Sequence, residues 1–365
     1  MISYAGKNRR AVNYLKTMYF DYPEWTICGV GFLPAVWMTH GSRLEELVLA
    51  HPRVFPHYRK GSIDFDNPPM WDVTYELGRH TDCWGSVWNN ICRGVVGQVE
   101  REPLTDWADF EAWKTHLPDP VKDDIFGPRT PPEQIARDLD AARRRGDIAA
   151  PNPLWHGFFF MRLYYLRGFE NLMLDIATDE PRLRELIGIL TGYNAAAVRN
   201  YLAAGAEMMI LAEDLGMQTS LPISPAAWQK FVKPSYMETM APCRAADVPV
   251  YLHCDGHILE IIDDLIECGV RVLNPQIRAN GLAGLQRYAR GKVALNQDLD
   301  RQLFPFVTPS QIEDHIGEVF EGLYDKRGGL MLLAEVGPEV PLENVDAICR
   351  SFEKLCNLPE PEERA

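Results

Sequence analysis

The chain has 365 residues, 46% of them hydrophobic and 24% charged, which is enough apolar material for one large or two small globular domains without covalent staples. A formal net charge of −14 argues against a nucleic-acid binder, which needs a basic footprint to neutralise phosphates, and against an anionic membrane surface. No run approaches the ~20 apolar residues of a membrane span, the first residues lack a signal-peptide core, and the eight cysteines form no CxxC pair. The expectation is a cytoplasmic protein with reduced thiols.

In chain order, residues 25–37 (WTICGVGFLPAVW) read as a first strand and its loop. The Trp- and Gly-rich stretch 81–113 reads as hairpins and loops covering a mouth. Residues 147–205 give a strand, an aromatic loop and two helices. From there strand and helix alternate. AEMMILAEDLG (206–216) is a buried strand, and 224–247 is a helix capped by Ser224 ahead of Pro225. VPVYLHCDG is a strand, and 257–269 is an amphipathic helix closed by Gly269. VRVLNPQ, KVALNQDLD and LMLLAEVGP are further strands, separated by helices and followed by a last one.

Short connections in this alternation require a parallel sheet, either an open doubly wound sheet or a closed (β/α)8 TIM barrel. Each strand ends in polar residues: Glu213 and Asp214, His253 and Asp255, Asn274 and Gln276, Asn296 and Asp298, Glu335. A barrel gathers such ends at one mouth, so the barrel is the preferred reading. The whole chain, 1–365, then forms one domain, with 1–146 as an N-terminal cap and first strand and 147–365 as the main barrel repeats.

The stretch VPVYLHCDGHI places His253 and Asp255 two apart, on one face of a strand end. Imidazole and carboxylate together suit Zn²⁺ or a similar divalent ion if a third ligand arrives, and Glu213 and Glu335 are candidates for it. The competing reading makes His253 an ordinary hydrogen-bonded histidine and Asp255 a helix cap. Cys254 points the other way and reads as a small buried hydrophobe. In LWHGFFFMRLYYLRGFE (154–170), Trp155, Phe159 and Tyr165 are candidate walls for a flat substrate, although core packing is the commoner role of such rings. His156 and Arg162 in the same stretch are more telling, because buried charge needs a partner.

Three segments carry a resemblance: AAGAEMMILAEDLGMQTSLPISPAAWQKFVKPSYMETM, VPVYLHCDGHILEIIDDLIECGVRVLNPQ and GGLMLLAEVGPEVPLENVDAI. They resemble the uroporphyrinogen decarboxylase superfamily, closely over 147–355 and loosely over the first 120 residues. That superfamily implies a (β/α)8 barrel, and it holds both tetrapyrrole decarboxylases and cobalamin-linked methyltransferases. The decarboxylase signature RQAGRYLPEY and its late GHGI-type histidine are missing; GFLPAVW and AEVGPEVP stand there instead. The zinc methyltransferases of the family carry His-x-Cys and a late Cys where this chain has His253-x-Asp255 and Glu335. The exchange of thiolates for oxygens implies a harder Lewis acid, matched to an ether oxygen.

The resemblance, extended by TDCWGSVWNNICRGVVGQVEREPLTDW and LRGFENLMLDIATDEP, implies the O-demethylase branch. There a methyl group passes from a phenyl methyl ether to cob(I)alamin on a separate corrinoid carrier protein. On this reading His253, Glu335 and Glu213 are metal ligands, with zinc the expected metal. Asp214, Asp255, Asn274 and Asn296 are catalytic or mouth-lining, and a homodimer is compatible with it. Rival readings are an N- or S-methyl donor, a metal-free decarboxylase-like lyase, and a non-catalytic tetrapyrrole carrier.

Overall fold

The computed structural model describes residues 4–360. Six parallel strands carry the fold: β1 (Ile27–Phe32), β2 (Met209–Asp214), β3 (Val250–Asp255), β4 (Val270–Pro275), β5 (Ala294–Asp298) and β6 (Leu330–Val336). The chain divides into two compact units. The first draws on residues up to Val12, on Gly78–Asn89 and on Gln98–Asn274; the second takes Asn13–Leu77, Asn90–Gly97 and the chain from Pro275 on.

In the first unit β2 and β3 pair in register, with Ala212 opposite His253, Glu213 opposite Cys254 and Asp214 opposite Asp255. Opposed residues in a sheet share a face. Met209, Leu211, Val250, Leu252 and Cys254 are fully buried on one side. Each such large apolar side chain contributes roughly 1.5–3 kcal/mol by leaving water. The other face carries Ile210, Ala212 and Asp214 beside Tyr251, His253 and Asp255, all half-buried. Beyond the strand ends the two loops touch backbone to backbone: a Cβ on Gly256, whose φ is +84°, would stand 2.1 Å from the Gly216 carbonyl oxygen. Only glycine fits there, and this contact fixes the turn that carries Asp255.

The strand expected near residue 150 does not form as a regular strand. Pro151 and Pro153 have no N–H to offer a ladder. Residues 149–157 still run along β2, because Glu207 N–H donates to Ala149 O (2.8 Å), Ile210 N–H to Pro151 O (3.0 Å) and Gly157 N–H to Ala212 O (2.9 Å). The aromatic loop expected after it is largely helical, as α1 (Phe160–Arg167), broken from the next helix by Gly168 at φ +79°. The long helix expected at 224–247 starts as predicted, with Ser224 Oγ accepting from Ala227 N–H (3.1 Å), and is then interrupted by a π-helical turn at Trp228–Val232 before α2 (Lys233–Thr239). Pro234 and Pro242 explain the breaks.

In the second unit β6 lies between β1 and β5, with Gly31 opposite Glu335 and Asn296 opposite Met331. The following helices α3 (Pro309–Leu323) and α4 (Leu342–Leu355) pack on each other, and α3 opens on a capping box between Thr308 and Gln311. No helix among the described residues is long and apolar enough to cross a membrane.

Candidate active site

The ends of β2 and β3 and the irregular segment before α1 bring three side chains together. Asp214 Oδ1 lies 3.0 Å from His156 Nε2 and 4.0 Å from His253 Nε2. Asp255 Oδ1 stands 3.4 Å from the same His253 nitrogen. One ligand atom from each of His156, Asp214 and His253 falls within 4.8 Å of the others, and the imidazole rings meet edge-on at 5.6 Å. The His253 ring is held from behind, its Nδ1 2.7 Å from Asn274 Oδ1.

The charges interlock. Burial would depress the His156 imidazole, but the hydrogen bond and charge of Asp214 outweigh it and raise it. Burial pushes the Asp214 carboxyl up, yet the His156 hydrogen bond and the two imidazoles pull it below the usual range. The Met161 sulfur takes the Asp214 backbone N–H at 3.1 Å, which fixes the strand end under the carboxylate.

Two imidazole nitrogens and a carboxylate aimed at one point, with a second carboxylate beside them, are a fitting donor set for Zn²⁺ or Fe²⁺. Of the expected ligands, His253 is in this set. Glu213 is not: its side chain follows Cys254 to the other face and is 0% exposed. There its oxygens accept from the N–H groups of Phe159 and Phe160 (3.0 Å each) and Met161 (2.8 Å) and from Tyr236 OH (3.0 Å). It caps α1, as an anion at a helix N-terminus should. Glu335, in the second unit, is engaged by the Arg301 guanidinium. Asn296 sits half-buried on β5 of that unit.

The aromatic predictions divide. Trp155 is half-buried, adjacent to His156, and meets Trp88 edge-on at 5.1 Å; Trp88 meets Tyr165 at 4.8 Å. Phe159 is a correction: it is fully buried and packs against Tyr236 in the core. Arg162 is also not free to bind substrate. It is 2% exposed, its Nη1 donates to Asp82 at 2.6 Å, and its guanidinium lies over the Trp155 and Tyr165 rings at 5.7 and 5.3 Å. Sequence reasoning placed His156 with the substrate rather than with Asp214. The missing signal was the pairing of 149–157 with β2, which the two prolines conceal.

Burial pushes the Glu213 carboxyl up to about 7, against the pull of the Met161 and Phe160 amides and Tyr236. A carboxyl raised from its ordinary 4.5 binds more protons folded than unfolded. Its stabilising contribution is therefore complete below the unfolded value and lost as pH rises through 7. The expected result is that Glu213→Gln narrows the difference in unfolding free energy between about pH 5 and about pH 8 by about 2 kcal/mol. Urea titrations of both proteins at both pH values check this; an unchanged difference contradicts it.

The sequence profile described as uroporphyrinogen decarboxylase (URO-D) matches residues 160–355, more than half of the chain. The chain belongs to the uroporphyrinogen decarboxylase family. Among solved structures it is similar to a methyltransferase from Methanosarcina mazei, with a TM-score of 0.58 and 16% identity over 94% of this chain and 98% of that one. A protein assigned as a vitamin-B12-independent methionine synthase from Listeria monocytogenes overlaps 62% of this chain and 69% of its own, at a TM-score of 0.38 and 16% identity. Dihydropteroate synthase from Xanthomonas albilineans overlaps 38% of this chain and 52% of its own, at 0.27 and 16%. These last two likenesses carry no functional inference. No curated protein matches the sequence. Family and fold together put this URO-D chain in the (β/α)8-barrel class, with a methyltransferase-like fold, as the strand–helix alternation predicted.

Proposed function

We propose that this protein transfers a methyl group from a methoxylated aromatic compound to cob(I)alamin carried by a separate corrinoid protein, at a divalent-metal site of His156, Asp214 and His253. The observation that carries the reading is the convergence of those three side chains beside Trp155, in a chain of the URO-D family. The methyl carbon leaves its ether oxygen, which keeps the bonding pair, and is taken up by the reduced cobalt of the partner's corrinoid. The metal, zinc being the leading candidate, supplies Lewis acidity toward that oxygen when bound.

The chain's own residues do the rest. The half-buried Trp155 and Tyr165, both backed edge-on by the buried Trp88, form a wall suited to a flat ring. Asp82 neutralises Arg162 behind this wall, so the wall offers no unpaired cation to a carboxylate. His156 Nε2, held against Asp214, belongs to the ligand set, so the departing phenolate takes its proton from water.

The test is a panel of methoxyarenes incubated with the metal-loaded protein and cob(I)alamin, followed by the absorbance change from cob(I)alamin to methylcobalamin. Methylation with at least one methoxyarene and release of the matching phenol is expected. Methylation only from N- or S-methyl donors, or decarboxylation of a tetrapyrrole acid instead, would replace the proposal.

A further inference from the structure

The two histidines of the cluster are not equivalent. The His156 side chain is 42% exposed, whereas that of His253 is 23% exposed and tied at its far nitrogen. Its tie is Asn274, at the end of β4 and 2% exposed, whose Oδ1 lies 2.7 Å from His253 Nδ1. A neutral imidazole carries one N–H, and a carbonyl oxygen only accepts. The proton therefore belongs on Nδ1, and the lone pair on Nε2. Nε2 is the atom that faces Asp214 Oδ1 and Asp255 Oδ1. A lone pair aimed at two carboxylates is unfavourable unless a cation lies between them.

We infer that Asn274 is the positioning residue of the site: it fixes the His253 tautomer and ring plane so that Nε2 is presented ready-made as the anchoring metal ligand, with His156 as the more exposed ligand that completes the set. The inference rests on the metal reading proposed above. The strand geometry makes it a specific device. Asn274 reaches His253 from β4, the strand that follows β3 in the sheet, so the ligand is oriented by the sheet itself rather than by a loop. Outer hydrogen-bond partners of this kind typically carry 10–100-fold in metal affinity.

The experiment is a titration of metal-free wild type, Asn274→Leu and Asn274→Asp with Zn²⁺ against a chromogenic chelator, and with Co²⁺ followed by its visible ligand-field bands. Asn274→Leu, close in size but unable to accept, should bind about 10–100-fold more weakly and show an altered cobalt spectrum. Asn274→Asp, isosteric and a stronger acceptor for the same N–H, should bind at least as tightly as wild type with an unchanged band pattern. Rescue by aspartate separates orientation from packing, since a merely structural role would not move the cobalt spectrum. Binding by Asn274→Leu equal to that of wild type overturns the inference. Weakened binding in Asn274→Asp also overturns it, and does so even if the leucine variant fails to fold. Failure of wild type to bind either metal is a different result: it removes the metal reading itself, and this inference with it.

Discussion

Replacing His253 with alanine is expected to strip the site of metal and to lower methyl transfer by about 1,000-fold or more. His253 supplies one of three converging ligand atoms, and it is the one whose ring is already held by Asn274. Losing an outer partner typically costs 10–100-fold in metal affinity, and losing a ligand exceeds that. His257 provides the control. It lies four residues further on, pairs with Glu260 at 3.1 Å and has no place in the cluster. His257→Ala should leave metal content and turnover near wild type. A His253→Ala protein that retains both would refute the assignment.

Replacing Asp82 with alanine is expected to cost about 3–5 kcal/mol of stability, the loss typical when one member of a buried ion pair is removed. The Asp82 carboxylate serves four donors: Trp84 N–H (3.0 Å) and Ser86 N–H (2.9 Å) on Oδ1, and Trp88 Nε1–H (3.1 Å) and Arg162 Nη1 (2.6 Å) on Oδ2. Its removal leaves a fully desolvated guanidinium and three N–H groups without their acceptor. The damage should reach the site as well. Trp88 and Arg162 both lie against the Trp155 and Tyr165 rings, so the substrate wall loosens. Asp82→Ala should accordingly raise KM for the donor at temperatures where the protein remains folded, and Asp82→Asn, which keeps an acceptor, should lose less of both. Urea unfolding of the two variants checks the stability claim; a loss below about 1 kcal/mol for Asp82→Ala would contradict it.

The parallel strands β2 to β6 were legible from the chain because each is a short apolar run ending in polar residues. What the sequence did not contain was register. Glu213 and Asp214 are adjacent, and only the pairing of Glu213 with Cys254 shows which of them turns toward His253. Cys254 was read as buried and pointing away, so the registered pair Glu213–Cys254 would have excluded Glu213 had the pairing been known. His156 was hidden for a related reason. Prolines 151 and 153 erase the strand pattern, while hydrogen bonds given and taken along β2 still align that segment with it. Ring type alone did not separate Trp155 from Phe159. The first lies against the cluster and the second is core, because Phe159 stands at the N-cap of α1 with its ring packed on Tyr236. The buried charge of Arg162 was rightly expected to need a partner, but that partner, Asp82, lies 80 residues earlier, in a stretch read as hairpins and loops over the mouth.

The most direct test of the central claim is metal content per chain after loading and desalting, in wild type, His156→Ala and Asp214→Asn. These two residues, unlike His253, enter the ligand set only through the folded arrangement. The account predicts about one divalent ion per chain in wild type and its loss in both variants. A wild-type protein that holds no metal under any loading condition, or one that keeps its metal in both variants, would contradict it.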